Sequence, residues 1–455
     1  MPANYFIQRL AMTKRMPGAA VLASAGQFAI ACRMSRLHPA WRVAAITFLV
    51  LLVAAGLRSA PSVLIVPLEQ EFGWSRATTG FAVGLNILLF GLTGPFAAAI
   101  LERFGMRRTV AASLLILSAG VALTPLMRES WHMVALWGVV VGGASGVTAL
   151  VLAATVANRW FVARRGLVMG VLTASTATGQ LVFLPVFAQL VQHVGWRAVS
   201  LLLACVAAAL IVPVWLMMRD RPSDLGLPPY GGTAIVPRTP LQNPVGRAIG
   251  ALRTGMGQRD FWLLAGTFFV CGASTNGLIG THLIPACLDS GWVPAGMAAG
   301  LLAAMGVFDM IGTTLSGWLS DRLDNRTLLA WYYALRGLSL LFLPFALAGD
   351  VIGATGLAVF AVFYGLDWIA TVPPTVRLAA RSFGEDNAPV MFAWIVCAHQ
   401  LGASVAAYGA GVVRVNAGSY GPAFLGAGAL CLVASILSLM IGRRPVVRGT
   451  AAVTA

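Results

Sequence analysis

Residues 42–68 read RVAAITFLVLLVAAGLRSAPSVLIVPL, an apolar run whose one charge beyond its first residue is Arg58. The hydrocarbon core of a bilayer takes about 20 apolar residues of helix, and this run exceeds that length. Its composition marks a membrane span. Arg58 lies well inside that span, followed by Ser59, Ala60 and Pro61.

Runs of the same kind recur outward from it, at 77–101, 109–127, 132–158, 166–190 and 197–218. After a polar interval they resume at 261–286, 294–319, 327–346, 352–378, 388–413 and 421–441. The chain has 455 residues, 58% hydrophobic and 10% charged; a soluble protein keeps roughly a quarter of its residues charged. The expectation is an all-α membrane protein of twelve transmembrane helices in two six-helix bundles. The bundles are read at 42–218 and 261–441, joined by a linker at 219–260 and flanked by tails at 1–41 and 442–455. The linker holds Pro222, Pro228, Pro229, Pro237, Pro240 and Pro244, with room for a short surface helix at 245–255.

The two sets of six repeat one another. Gly73-Trp74 follows span one as Gly291-Trp292 follows span seven, and Glu102-Arg103 follows span two as Asp321-Arg322 follows span eight. Parallel repeats imply a pseudo-twofold axis along the membrane normal, with a binding site between the halves near mid-bilayer. Of the 31 basic residues, Arg76, Arg128, Arg197 and Arg414 fall on one side, Arg58 and Arg336 lie within spans, and the rest fall on the side shared by both termini. Basic loops mark the cytoplasmic face, so both termini are expected in the cytoplasm of a bacterial inner membrane.

The net charge of +16 is accounted for by this loop bias, and no nucleic-acid motif accompanies it. The first 41 residues hold Arg9, Lys14, Arg15, Arg33 and Arg36 and no acid. Residues 18–32 are apolar enough to raise a signal peptide, but they lack a clean cleavage site, which favours a cytoplasmic tail. The six cysteines are scattered without metal or redox spacing and read as small apolar filler. No phosphate-binding loop, metal cluster or nucleophile–base pair appears, so neither an enzyme nor a cofactor is expected.

The loop after span two, Glu102-Arg103-Phe104-Gly105-Met106-Arg107, and its copy Gly317-Trp318-Leu319-Ser320-Asp321-Arg322 resemble the G-x-x-x-D-R-x-G-R-R gating motif of the major facilitator superfamily. Further segments are similar to a bacterial branch related to monocarboxylate porters and oxalate/formate antiporters. They are Glu71-Phe72-Gly73-Trp74-Ser75-Arg76, Arg159-Trp160-Phe161, Gly195-Trp196-Arg197 and Arg221-Pro222-Ser223-Asp224-Leu225-Gly226. The resemblance implies a secondary transporter working by alternating access as a monomer, with Glu102, Arg103, Arg107, Asp321 and Arg322 in its gating loops. It also implies that spans one and ten line the cavity.

Charges inside spans are costly, about 2.5–3.5 kcal/mol each on insertion scales, so each calls for a role. Arg58 is a candidate to hold a substrate carboxylate in bidentate fashion, the alternatives being a structural pair with a neighbouring acid or snorkelling outward. Asp309 in span eight stands where similar monocarboxylate porters carry an acid, although their Arg four residues on is Thr313 here. Asp309 is a candidate for proton coupling or for a permanent pair with Arg58. Asp367, near Pro373-Pro374 in span ten, reads equally as a proton carrier, a partner of Arg58 or a cap for backbone freed by the prolines. His399 in span eleven faces the same choice between coupling and plain hydrogen bonding. Arg336 enters span nine only about two turns deep and is expected to snorkel; His282 and His132 are expected at the interface. Asn86, Gln180, Asn276, Thr281 and Trp394 complete the expected substrate site, and Asn276 stands in one half where Arg58 stands in the other. The leading expectation is a proton-coupled carrier of a small organic anion, a mono- or dicarboxylate. Drug or metabolite efflux by proton antiport is the alternative, and a non-transporting membrane sensor is the reading outside that class.

Overall fold

The computed structural model describes residues 38–235, 243–349, 353–384 and 387–442. Side chains are described for all of these except 150, 176–178, 180–182, 184–185 and 244. The expected tails fall outside the described residues over 1–37 and 443–455, as does linker segment 236–242.

Among the described residues the protein is helical and holds no strand. In lipid every backbone amide and carbonyl must be satisfied within the protein, and the α-helix does this segment by segment. Ten helical units are long and apolar enough to cross a membrane: Pro39–Phe72, Arg76–Phe104, Met106–Leu126, Val186–Met217, Arg259–Asp289, Ala295–Ser320, Asn325–Leu347, Gly353–Phe383, Ala388–Ala417 and Gly421–Ser438. Span four adds a crossing in pieces, Ser130–Met133, Val134–Val141, Gly142–Ser145 and Leu150–Trp160. Span five is the first limb of Arg165–Ala209, which turns into span six at Gly195 (φ 79°). Only a glycine adopts that backbone without strain. Large apolar side chains such as Leu115, Trp131, Trp331, Phe345 and Ile436 are exposed on the outside, the perimeter that a lipid solvent calls for.

Among the described residues spans one, four, seven and ten are interrupted in a pattern that follows the repeat; span six also breaks, at Leu210 near its end. Span one breaks at Ala60, where Pro61 supplies no N–H to continue the ladder. Its counterpart, span seven, widens to a π-helix over Ala273–Ile279. Span four breaks between Ser145 and Leu150, and span ten between Asp367 and Val372. An offset of 219 residues carries Ala60 onto Ile279 and Ala149 onto Trp368. The sequence marked only the proline-bearing breaks.

The halves meet closely along spans two and eleven. Gly80, Gly84 and Gly91 face Ala407, Ser404 and Gln400, and a Cβ on Gly80 would lie 2.5 Å from the Ala407 carbonyl oxygen. Small residues at this spacing let membrane helices approach backbone to backbone. The linker helix Pro244–Met256 lies on the face that carries the chain's described ends, where the Ala248 carbonyl accepts from Trp394 Nε1 at 2.8 Å.

Candidate functional site

The four interruptions surround one cavity of about 300 Å³. Its wall takes Arg58, Ser59 and Pro61 from span one, Ser145, Gly146, Thr148 and Ala149 from span four, Asn276 and Thr281 from span seven, and Trp368 and Ile369 from span ten. Spans two, eight and eleven add Asn86 and Phe90, Asp309, and His399 and Gln400. Helix breaks at mid-membrane depth are tolerated only where they line a cavity or are buried in protein.

Arg58 is half-buried, with its guanidinium carbon 4.4 Å from the centroid of the Phe90 ring. Among the described residues it forms no ion pair. A cation in a low-dielectric wall with only an aromatic face for company is poised to take an anion.

Asp309 also lines the cavity and is buried, but it has work to do in the wall. Its Oδ1 accepts from the Ile369 backbone amide at 2.8 Å and from Thr313 Oγ1 at 2.9 Å, so it caps the amide freed by the break in span ten. Thr313 thus holds this carboxylate in place. Thr281 has a comparable duty, donating to the Asn276 carbonyl at 2.9 Å across the π-helical segment. Asn276 itself faces the cavity. Asn86 lines it too, with its amide donating to the Trp137 carbonyl at 2.6 Å. His399 lines the wall and packs on Phe268, ring centroids 4.8 Å apart, while its Nδ1 is buried with no hydrogen-bond partner. Gln180 lies on the helix of span five, and its side chain is outside the described residues.

Two expected members lie elsewhere. Trp394 is absent from the cavity wall: it packs edge-on against Phe96 at 5.9 Å and ties span eleven to the linker helix. Asp367 is buried behind the cavity, where Arg336 Nε donates to its Oδ2 at 2.6 Å. Arg336 therefore does not snorkel. It is fully buried and also donates to the carbonyls of Asp367 at 2.5 Å and Trp368 at 3.1 Å, and to Cys271 Sγ at 2.9 Å. The carbonyls freed by the break in span ten need donors, and a guanidinium supplies several at once. Cys271 is thus part of a polar cluster and not apolar filler, with Thr371 Oγ1 3.3 Å from its sulfur. His282, expected at the interface, is fully buried, its Nε2 2.7 Å from the Ala407 carbonyl and its Nδ1 3.1 Å from Tyr420 Oη.

The gating-loop residues pair within their own half or with the start of the linker. Glu102 accepts from both Arg159 and Arg221, and Asp321 pairs with Arg377. Arg107 stacks over Trp215 at 4.0 Å while its amide donates to Asp220 at 2.8 Å. Arg322 stacks over Trp318 at 4.0 Å, and Arg103 over Phe104 at 5.5 Å. On the opposite face the ion pairs cross between halves. Arg76, at the start of span two, binds Asp289, at the end of span seven, through two bonds of 2.7 and 2.9 Å. Arg76 also reaches Glu69 at 2.7 Å and Tyr420 at 3.2 Å, and Arg414 adds a third bond to Asp289 at 2.6 Å. Sequence reading placed Arg76 in an outer loop without this role. Its position just after Gly73-Trp74, and that of Asp289 just before Gly291-Trp292, was the available signal.

Twelve crossings in two bundles around a central cavity, with an ionic clasp between the bundles at one face, define a membrane transporter. The chain belongs to the Major Facilitator Superfamily, whose family model matches residues 46–407. It is 24% identical over 383 residues to an uncharacterized MFS-type transporter, YcxA, of Bacillus subtilis, covering 82% of this chain and 88% of that one. It is 25% identical over 398 residues to monocarboxylate transporter 13 of Bos taurus, covering 87% of each. Its fold matches the crystal structure of a bacterial homolog of the human lysosomal transporter Spinster, inward-facing and unoccupied, with a TM-score of 0.70 at 16% identity over 89% of this chain and 97% of that one.

Proposed function

We propose that this transporter carries a small organic anion, coupled to protons, by alternating access across a bacterial inner membrane. One observation carries the reading: Arg58, in the cavity between the halves, has no counter-ion among the described residues. The monocarboxylate transporter name borne by several relatives supports a carboxylate. The basic bias of one set of loops supports cytoplasmic termini. The two halves, 42–218 and 261–441, rock about the cavity with the linker 219–260 between them, and the carrier acts as a monomer.

Asp309 is the proposed proton site, since it is the carboxylate of the described cavity wall. As an anion it grips the Ile369 amide strongly; protonated, it is a weaker acceptor. Gain and loss of a proton would thereby loosen and tighten the break in span ten. The Arg76–Asp289 clasp holds the halves together on the proposed outer side, and the Glu102 and Asp321 pairs brace each half on the inner side.

Purified protein in liposomes tests this. An acid-outside gradient should drive accumulation of a radiolabelled carboxylate, and Arg58→Ala should abolish it while insertion and melting temperature hold. Uptake by that variant at the wild-type rate would remove Arg58 from the site. The aromatic character of the wall, with Phe90, Phe268, Phe392 and Trp368, favours a second reading, proton-driven efflux of an aromatic metabolite or drug. Transport in the opposite direction under the same gradient would select it.

A further inference from the structure

The wall around Arg58 offers more than a charge. Arg58 lies over Phe90, and the same cavity presents the rings of Phe268, Phe392 and Trp368. Its other ionic residue among those described, Asp309, is committed to Ile369 and Thr313. One unmatched cation holds one carboxylate. A second carboxylate on the same solute would meet neutral amides and hydroxyls such as Asn86, Asn276 and Thr281, a weaker match than a second cation. A short, hydrophilic acid would satisfy Arg58 but leave the rings uncovered, whereas a flat apolar body removes them from water and meets them in edge or offset contacts.

His399 adds a second requirement. Its imidazole lines the cavity on Phe268 and beside the Cys271 thiol, a weak partner at best, and its Nδ1 is buried without a formed hydrogen bond. Buried polar atoms are normally paired, and a ligand hydroxyl pairs with either imidazole tautomer because it both donates and accepts. The volume of about 300 Å³ is at the lower end of the range of small-molecule pockets and accommodates a substituted ring.

We infer that the solute is an aromatic monocarboxylate bearing a hydrogen-bonding ring substituent, with Arg58 taking the carboxylate and His399 selecting the substituent. This rests on the organic-anion reading above.

Binding to the purified, detergent-solubilised protein tests it, by calorimetry or thermal shift with 3- and 4-hydroxybenzoate, benzoate, cyclohexanecarboxylate, lactate and succinate. Affinity should fall in that order, with the better hydroxybenzoate binding at least about tenfold more tightly than benzoate, as expected when a site polar group is left unpaired by the analogue. His399→Phe keeps a ring and removes the nitrogens, so the hydroxybenzoate-to-benzoate ratio should shrink towards one. Arg58→Ala should remove binding of every acid, with Arg58→Lys retaining part of it if the alanine variant does not fold. Lactate or succinate binding as tightly as the arenecarboxylates, in an Arg58-dependent way, overturns this inference and leaves the anion reading standing. No Arg58-dependent binding of any acid overturns both. A wild-type hydroxybenzoate-to-benzoate ratio kept by His399→Phe removes His399 as the selector.

Discussion

Arg58 and Arg336 are the same residue type, each set within a span, yet their surroundings differ in kind. Arg336 is fully buried and meets a carboxylate, two carbonyls and a sulfur. Arg58 is half-buried and meets a ring. Taking a guanidinium out of water costs several kcal/mol, and at Arg336 four donated bonds within the protein offset much of it, although Asp367 Oδ1 is left without a partner. At Arg58 the offset is left to something that arrives. A satisfied buried charge is scaffold; an unsatisfied one facing a cavity is a receptor.

That contrast can be broken at several points. The largest effect should come from Arg336→Leu, which strands the Asp367 carboxylate and the freed carbonyls of span ten. Loss of one partner of a buried pair costs about 3–5 kcal/mol, read as a sharp fall in melting temperature or in the yield of folded protein. Arg336→Leu with Asp367→Leu should recover much of that loss, and failure to recover it would mean the carbonyl contacts matter more than the ion pair. Arg58→Ala comes next, with the opposite signature: anion uptake falls by two to three orders of magnitude, in line with the ~2–5 kcal/mol of a lost buried charge contact, while the melting temperature holds or rises. A large drop in stability would place Arg58 with Arg336 as scaffold.

Asp309→Asn is a gentler change. The carboxamide oxygen still accepts from the Ile369 amide, so the fold should persist, but no proton can be gained or lost. Uptake should cease to rise as the external pH falls, at a residual rate measured by counterflow; an unaltered pH profile would exonerate Asp309. Smallest of all should be Arg377→Ala. Both groups of the Arg377–Asp321 pair are more than half exposed, and such pairs are worth about 0.2–1 kcal/mol, a shift near the resolution of a melting curve.

The six-plus-six plan was legible because lipid forces long apolar runs, and these are a local property of the chain. The cavity membership of Arg58, Asn86, Asn276, Thr281, Asp309 and His399 was legible from the repeat and from the rarity of polar groups in spans. Depth alone misled at Arg336: two turns from the span end allows snorkelling, but the rotation of span nine points the side chain at the break in span ten. Trp394 was misplaced for the same reason, since helix rotation is fixed by neighbours distant in sequence. The π-helical stretch around Asn276 carries no proline to announce it. The Arg76–Asp289 clasp joins residues 213 apart and needed the paired Gly-Trp turns to be read as neighbours in space.

The seam between spans two and eleven bears on how such a molecule moves. At Gly80 and Gly84 the nearest atoms are the carbonyl oxygens of Ala407 and Ser404, so backbone lies against backbone there, flanked by the Ser404 hydroxyl and the Phe81–Tyr408 ring pair. A strip with so few interlocked side chains would serve as a bearing, one that tilts and re-seats with few rotamer changes. A single bulky residue at Gly80 would wedge the bearing ajar and leave the molecule stuck facing one side.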